Sequence, residues 1–268
     1  MKRLHILIFA LLALSAVLLG VSSGIRLLAK DRTLPVLTCA QQELRVSVKD
    51  GSEALLQGVT ASDERDGDLT GSIVVEQITG TGTPGRVTVT YAVADSDHHV
   101  ASCQRTVVYT DYTPPRFSLS LPLIYETGDS LQVRDRLGAY DLLDGSLTDR
   151  VKLNTSSLST SYVGTFPITM EVTNSLGDTA TLTLDVEVRE DSVYGTPEIL
   201  LTHYLVYAKA GEDFDAAAYI DSVTDGEDYN VISQLPEGGL TRGVNQVRYS
   251  CTNDRGLTGS TTLYVIVE

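Results

Sequence analysis

A block that recurs every 79 residues, three times, constrains this chain more than any other feature. Gly85, Gly164 and Gly243 each open a run of alternating side chains that closes at Asp95, Asn174 and Asn253. The runs read GRVTVTYAVAD, GTFPITMEVTN and GVNQVRYSCTN, and Tyr109, Val188 and Val267 keep the same step further on. Alternation of period two marks half-buried strands, and a long period filled with such strands marks tandem all-β modules. Stacked copies of one scaffold rarely carry a single active site, so the repeat directs attention from catalysis to display.

The period predicts three modules, at residues 35–112, 113–191 and 192–268, the third divergent. Their joints, Tyr112-Thr-Pro-Pro115 and Tyr194-Gly-Thr-Pro197, are short and proline-marked, which predicts a semi-rigid array. Within each run one face points inward: Val87, Val89, Tyr91 and Val93 in module 1, and Phe166, Ile168, Met170 and Val172 in module 2. Module 3 supplies Asn245, Val247, Tyr249 and Cys251. Tyr91, Met170, Tyr249 and Cys251 are thus expected as buried structural residues. Asn245 is a polar intrusion that predicts a looser edge or a turn that starts later.

Residues 1–34 carry five basic side chains and one acidic, whereas the whole chain carries 20 basic and 35 acidic, for a net charge of −15. An acidic body of this kind repels phosphates, so nucleic acid is not an expected partner. Lys2 and Arg3 precede an apolar stretch from Ile6 to Val21, interrupted only by Ser15 and Gly20. That is the layout of an export signal, so residues 1–34 are read as a signal peptide or a signal anchor. If uncleaved, the segment ties the protein to the membrane with the acidic body outside. The predicted location is therefore secreted or cell-surface.

Acidic turns form a second recurring element. Module 1 has Thr60-Ala-Ser-Asp-Glu-Arg-Asp-Gly-Asp-Leu-Thr70, module 2 has Ala139-Tyr-Asp-Leu-Leu-Asp-Gly-Ser-Leu-Thr148, and module 3 keeps Asp225-Gly226 followed by Glu227 and Asp228. Asp-Gly pairs suit turns, because Gly accepts positive φ and Asp bonds to nearby amides. An opening Pro-hydrophobic strand, then D-x-x-DG-x-LT, then G-x-(V/F)-x-V-x-Y-x-V-x-D/N resembles the bacterial immunoglobulin-like repeat of surface proteins and some pesticidal crystal proteins. It is similar in outline to HYR-type adhesion modules. The resemblance covers modules 1 and 2 well and module 3 only in its second half. It implies three tandem immunoglobulin-like β-sandwiches in an exported, mostly bacterial context, and leaves the ligand open.

The repeat register also places the cysteines. Cys39 stands where modules 2 and 3 have Leu119 and Leu201, and Cys103 stands where they have Leu182 and Thr261. In immunoglobulin-like sandwiches the first and last strands lie side by side, so a Cys39–Cys103 disulfide is expected in an oxidising compartment. Cys251 replaces Val93 and Val172 and reads as a small buried hydrophobe.

The carboxylates Asp63, Glu64, Asp66 and Asp68, echoed by Asp141, Asp144 and Asp149, are the most suggestive cluster. Hard cations such as Ca²⁺ prefer several oxygens from one turn, which makes Asp63, Asp66 and Asp68 the calcium candidates. A solvated turn is the plainer reading, because the spacing does not match an EF-hand loop. No other cofactor is expected. Adjacent His98 and His99 read as a solvent-facing hairpin tip. Neither G-x-S-x-G nor H-E-x-x-H occurs, so no catalytic residues are expected. The functional expectation is a non-catalytic binding or adhesion protein for an extracellular glycan or protein. A structural spacer, or a self-associating subunit joined through edge strands, is the alternative.

Overall fold

The computed structural model describes residues 11–22, 33–225 and 231–268. Lys2, Arg3 and the Glu227–Asp228 end of the third acidic turn lie outside the described residues. Residues 11–22 form helix α1, with Leu11, Leu14, Leu18 and Val21 exposed. Among the described residues, no helix is long and apolar enough to cross a membrane.

Module 1 follows as β1 (Val36–Cys39), β2 (Glu43–Val46), helix α2 (Gly51–Ala54), β3 (Val59–Asp63), β4 (Gly67–Asp68), β5 (Val74–Gly80), β6 (Arg86–Ala94) and β7 (Val100–Tyr109). Two sheets form, in the orders β1-β3-β4 and β2-β7-β6-β5. The opening strand is split between them. β1 pairs antiparallel with β3, the chain then crosses over, and β2 pairs parallel with β7. Each sheet therefore holds one half of the same segment, which ties the two layers together. β6 alternates strictly, with Val87, Val89 and Tyr91 fully buried and Thr88, Thr90 and Ala92 half-buried on the opposite face. β-branched residues at these positions suit a pleated, half-covered surface.

Module 2 repeats the order with β8 (Arg116–Leu119), β9 (Ile124–Glu126), helix α3 (Val133–Arg136), β10 (Leu137–Asp141), β11 (Gly145–Ser146), β12 (Lys152–Asn154), β13 (Gly164–Thr173) and β14 (Thr179–Arg189). Its sheets run β11-β10-β8 and β12-β13-β14-β9, with β9 parallel to β14. Module 3 has β15 (Glu198–Leu201), β16 (Leu205–Ala208), β17 (Ile220–Thr224), β18 (Ile232–Gln234), β19 (Gly243–Thr252) and β20 (Thr258–Val267). Its sheets run β15-β17 and β16-β20-β19-β18, again with the split strand parallel to the last.

Polar groups in these cores are placed rather than tolerated. Tyr91 donates its hydroxyl to the Leu55 carbonyl at 2.6 Å, and Tyr249 donates to the Ala216 carbonyl at 2.7 Å. Each bond ties a helical turn to the central strand; Met170, at the same register, has no hydroxyl to donate. Arg105 is buried beside Tyr91 and donates to its hydroxyl and to the Leu55 carbonyl, where modules 2 and 3 carry Leu184 and Leu263. Asn245 differs from the sequence expectation. β19 starts at Gly243 as in the other modules, and the buried Asn245 amide donates to the carbonyls of Thr241, Gly243 and Val265 while its oxygen accepts from the Thr241 amide. The asparagine closes the strand entry instead of loosening it, because its buried amide is satisfied by three carbonyls and one N–H there.

The chain divides into two compact units: residues 1–81 with 86–110, and residues 82–85 with 111–268. The second unit holds modules 2 and 3, whose buried side chains form one continuous apolar cluster from Phe117 to Val267. β20 explains why. Its Leu263 and Val265 face the module 3 core, while Thr262 and Tyr264, on the opposite face, are buried too. Tyr264 donates its hydroxyl to the Asp185 carbonyl, Gln246 donates to the Asp185 carboxylate at 3.0 Å, and the Phe117 amide donates to the Tyr207 hydroxyl at 2.9 Å. Burial pushes the Tyr207 phenol up to about 12, against the opposing pull of the Phe117 amide and Arg116. At the N-terminal end of β20, a Cβ on Gly259 would sit 1.7 Å from the Pro197 carbonyl oxygen, so the strand approaches β15 only with glycine there. The equivalent Ala101 and Ala180 are also small.

Cys39 and Cys103 are joined as a disulfide with Cα atoms 6.7 Å apart. β1 is not hydrogen-bonded to β7, as side-by-side strands would be. The bridge crosses between the two sheets of module 1. Cys251 is a free, buried thiol, and burial raises its pKa. Closing the loop between residues 64 apart contributes about 4 kcal/mol on the chain-entropy model. Thiol titration of the denatured, unreduced protein is expected to give one free thiol per chain, and reduction is expected to lower the melting temperature of module 1. Three free thiols before reduction would contradict the bridge.

Candidate functional site

The acidic turns are the candidate site that the sequence offers first, and their geometry shows how each carboxylate is used. In module 1, Asp63 Oδ1 accepts the amides of Arg65 and Asp66 at 2.8 and 3.0 Å. In module 2, Asp141 Oδ1 accepts the amides of Leu143 and Asp144 at 3.0 and 2.6 Å. These are aspartate-capped turns, completed by Gly67 and Gly145 at φ of 75° and 71°. The next aspartate reaches across the module end to the opposite hairpin. Asp66 accepts the Ser96 amide at 2.8 Å and its hydroxyl at 2.9 Å, and Asp144 accepts the Ser175 amide at 2.7 Å and its hydroxyl at 2.6 Å. Asp68 accepts only from its neighbour Thr70, and those hydrogen bonds lower its pKa. Glu64 and Asp149 are exposed.

The residue that ends each repeated run completes the arrangement. Asn174 Oδ1 accepts the Leu176 and Asp178 amides, both at 3.0 Å, and its amide donates to Asp141 Oδ2 at 2.9 Å and to the Tyr112 hydroxyl at 2.8 Å. Asn253 does the same in module 3, accepting from Arg255 and Leu257 and donating to Asp225 at 2.8 Å and the Gly195 carbonyl at 2.8 Å. Module 1 has Asp95 there. Its carboxylate accepts the Asp97 and His99 amides at 2.9 and 2.7 Å, but it has no N–H to give. The His99 ring takes up the second oxygen instead, with Nδ1 2.6 Å from Asp95 Oδ2. The paired histidines therefore do not both face water as the sequence suggested. His98 is exposed at the tip with φ of 70°, and His99 is folded back onto Asp95.

Chemically, Asp63, Asp66, Asp141 and Asp144 are acceptors already engaged by protein donors. Among the described residues, no group of three or more His, Cys, Asp or Glu side chains is arranged to hold a metal ion. The sequence signal for this role was present in the repeat itself. Ser96 and Ser175 each directly follow the closing Asp95 and Asn174, and Asp66 and Asp144 each stand three residues after Asp63 and Asp141.

Three outcomes follow from the geometry. Asp144→Ala is expected to destabilise the second unit by about 1–3 kcal/mol, because it leaves the Ser175 amide and hydroxyl and the Arg150 guanidinium without their acceptor; urea unfolding measures this. Thermal melts in calcium and in chelator are expected to superimpose. For Asp95, burial raises the carboxyl pKa, but the His99 amide, the His99 ring and the Asp97 amide lower it by more, so it lies below the ordinary 3.8. A depressed folded-state value means that the stabilisation is complete above 3.8 and is lost as the pH falls through the folded value. Urea midpoints taken at neutral and at strongly acid pH are expected to fall more for the native protein than for Asp95→Asn, whose amide does not titrate.

Residues 41–108 match the family model described as bacterial surface protein, Ig-like domain. The pesticidal crystal protein Cry22Aa of Bacillus thuringiensis is 33% identical over 144 residues, which is 52% of this chain and 19% of that protein. The chain thus spans about a fifth of the length of the curated relative it matches. Among solved structures, the CBM51-2 and INT domains of Clostridium perfringens ZmpB in complex with GlcNAc align over 87% of this chain and 42% of that one, at 13% identity and a TM-score of 0.24. Drosophila N-cadherin EC1-4 aligns over 85% of this chain and 74% of that one, at 12% identity and a TM-score of 0.27. Superpositions this loose carry no argument about function. Residues 41–108, within module 1, are thus similar to a bacterial surface protein Ig-like domain, and module 2 repeats the strand order of module 1.

Proposed function

We propose that this chain is an exported bacterial surface protein that binds an extracellular glycan or protein through its immunoglobulin-like modules, without catalysis. The observation that carries this reading is the match of module 1 to a bacterial surface domain family. The engaged state of the acidic turns supports it. Their carboxylates hold hairpin tips in place, so they are poorly suited to act as general acids or bases. Recognition then falls to module faces, seams and edges.

Helix α1 is the proposed membrane anchor when the segment is retained. Its exposed leucines and valines favour lipid over water, and the acidic body beyond it suits an exterior location. A second reading, a spacer that carries no ligand of its own, is favoured by one observation. Modules 2 and 3 share a core and so form a stiff body.

A glycan and protein array probed with the full chain, together with light scattering, separates these readings. The binding reading expects at least one specific ligand. A monomer silent on the whole array would favour the spacer, and a concentration-dependent oligomer would point to assembly through β-edges.

A further inference from the structure

We propose that the Cys39–Cys103 bridge makes module 1 a link of fixed length, through which tension along the chain passes while residues 40–102 bear none of it. Tension between residues 1–34 and modules 2 and 3 has one route along the chain. It enters module 1 at β1 and leaves after β7. The surface-binding reading above supplies such tension, since a chain tied to the cell and to a ligand is pulled between them. The effect of the bridge does not depend on that reading.

Strand direction sets how the load falls. β2 runs parallel to β7, in a register from Glu43↔Thr106 to Val46↔Tyr109. Cys39, at the end of β1, is joined to Cys103, which precedes Thr106 on β7. The opening segment therefore runs alongside the last strand and in the same direction. The chain enters module 1 at one end and leaves it at the other, so a pull on both sides acts along these strands. Parallel strands pulled lengthwise in opposite directions are sheared, and the bonds between them are loaded together rather than one after another.

Hydrogen bonds alone carry that shear in the other two modules. Module 2 has β9 against β14 and module 3 has β16 against β20, both parallel. Flanking amides extend each pair. Thr110 donates to the Val46 carbonyl at 2.9 Å in module 1, Thr127 to the Arg189 carbonyl at 2.9 Å in module 2, and Glu268 to the Ala208 carbonyl at 3.0 Å in module 3. These noncovalent clamps are alike, and the bridge is the difference. At the bridged positions module 2 carries Leu119 with Leu182, and module 3 carries Leu201 with Thr261.

In module 1 the tension crosses from β1 to β7 through two sulfurs, between Cα atoms 6.7 Å apart. The enclosed residues hold β2 to β6, the Asp66–Ser96 contact and the fully buried Val87, Val89 and Tyr91. They form a closed loop beside the load path, so the loops of module 1 keep their arrangement while the chain is pulled. The path itself has little slack. A strand already rises about 3.3 Å per residue, and a fully extended chain reaches at most about 3.6 Å. Pulling lengthens β1 and the part of β7 beyond Cys103 by about a tenth and no more.

The test is single-molecule stretching of the full chain, held at its two ends, without reductant and with dithiothreitol. The unreduced chain is expected to unfold modules 2 and 3 and to stop there. Reduction is expected to add about 200–230 Å to the fully stretched length, the reach of the 64 residue steps that the bridge spans. The double variant Cys39→Ala, Cys103→Ala is expected to reach that longer length without reductant. If its module 1 folds, the added length appears as a further unfolding step; if not, it is present from the lowest force. Equal stretched lengths with and without reductant, or an unfolding step of module 1 in the unreduced chain, would overturn the proposal. No ligand enters the measurement, so its failure is told apart from a failure of the surface-binding reading.

Discussion

The hydrogen bonds from Asp66 to Ser96 and from Asp144 to Ser175 organise the ends of the first two modules. Each ties the turn after the third strand of its module to the tip of the long hairpin, so the small sheet and the large sheet are fixed at one end. At mid-height the split opening strand links the same two sheets, through β1 and β2 in module 1 and β8 and β9 in module 2. The residues that end the repeated runs brace the arrangement from below, with an amide in Asn174 and Asn253 and with the borrowed His99 ring at Asp95. A cluster that reads as a cation site is, in these terms, a set of acceptors matched to local donors.

What distinguishes the second unit is β20, a strand buried on both faces, which fuses modules 2 and 3 around a common core. The fusion brings Arg189 of module 2 onto the Ser260 carbonyl of module 3. Module 1 stands apart in a different way. It carries the disulfide, the buried Arg105 and the Asp95–His99 pair, none of which the other two modules have.

Much of the fold was legible in the residues. The glycine-led runs located the central strands, their alternation gave the inward set, and the register placed both bridged cysteines. Other features depend on contacts between residues far apart in the chain. Asn245 looked like a defect because a sequence shows a polar residue but not the carbonyls of Thr241, Gly243 and Val265 that it joins. The bonds from Ser96 to Asp66 and from Ser175 to Asp144 were not legible, because these partners lie some thirty residues apart on different turns. One missed signal was available: Leu263 to Val267 is an unbroken apolar run, unlike the alternating β7 and β14, and unbroken runs mark strands covered on both faces.

The central claim is that modules 2 and 3 are one cooperative body, separate in its stability from module 1. Scanning calorimetry of the full chain with and without reductant tests it most directly. Two unfolding transitions are expected, with only the one that belongs to the disulfide-bridged module shifting downward on reduction. Three separable transitions, or a shift of both on reduction, would contradict the account.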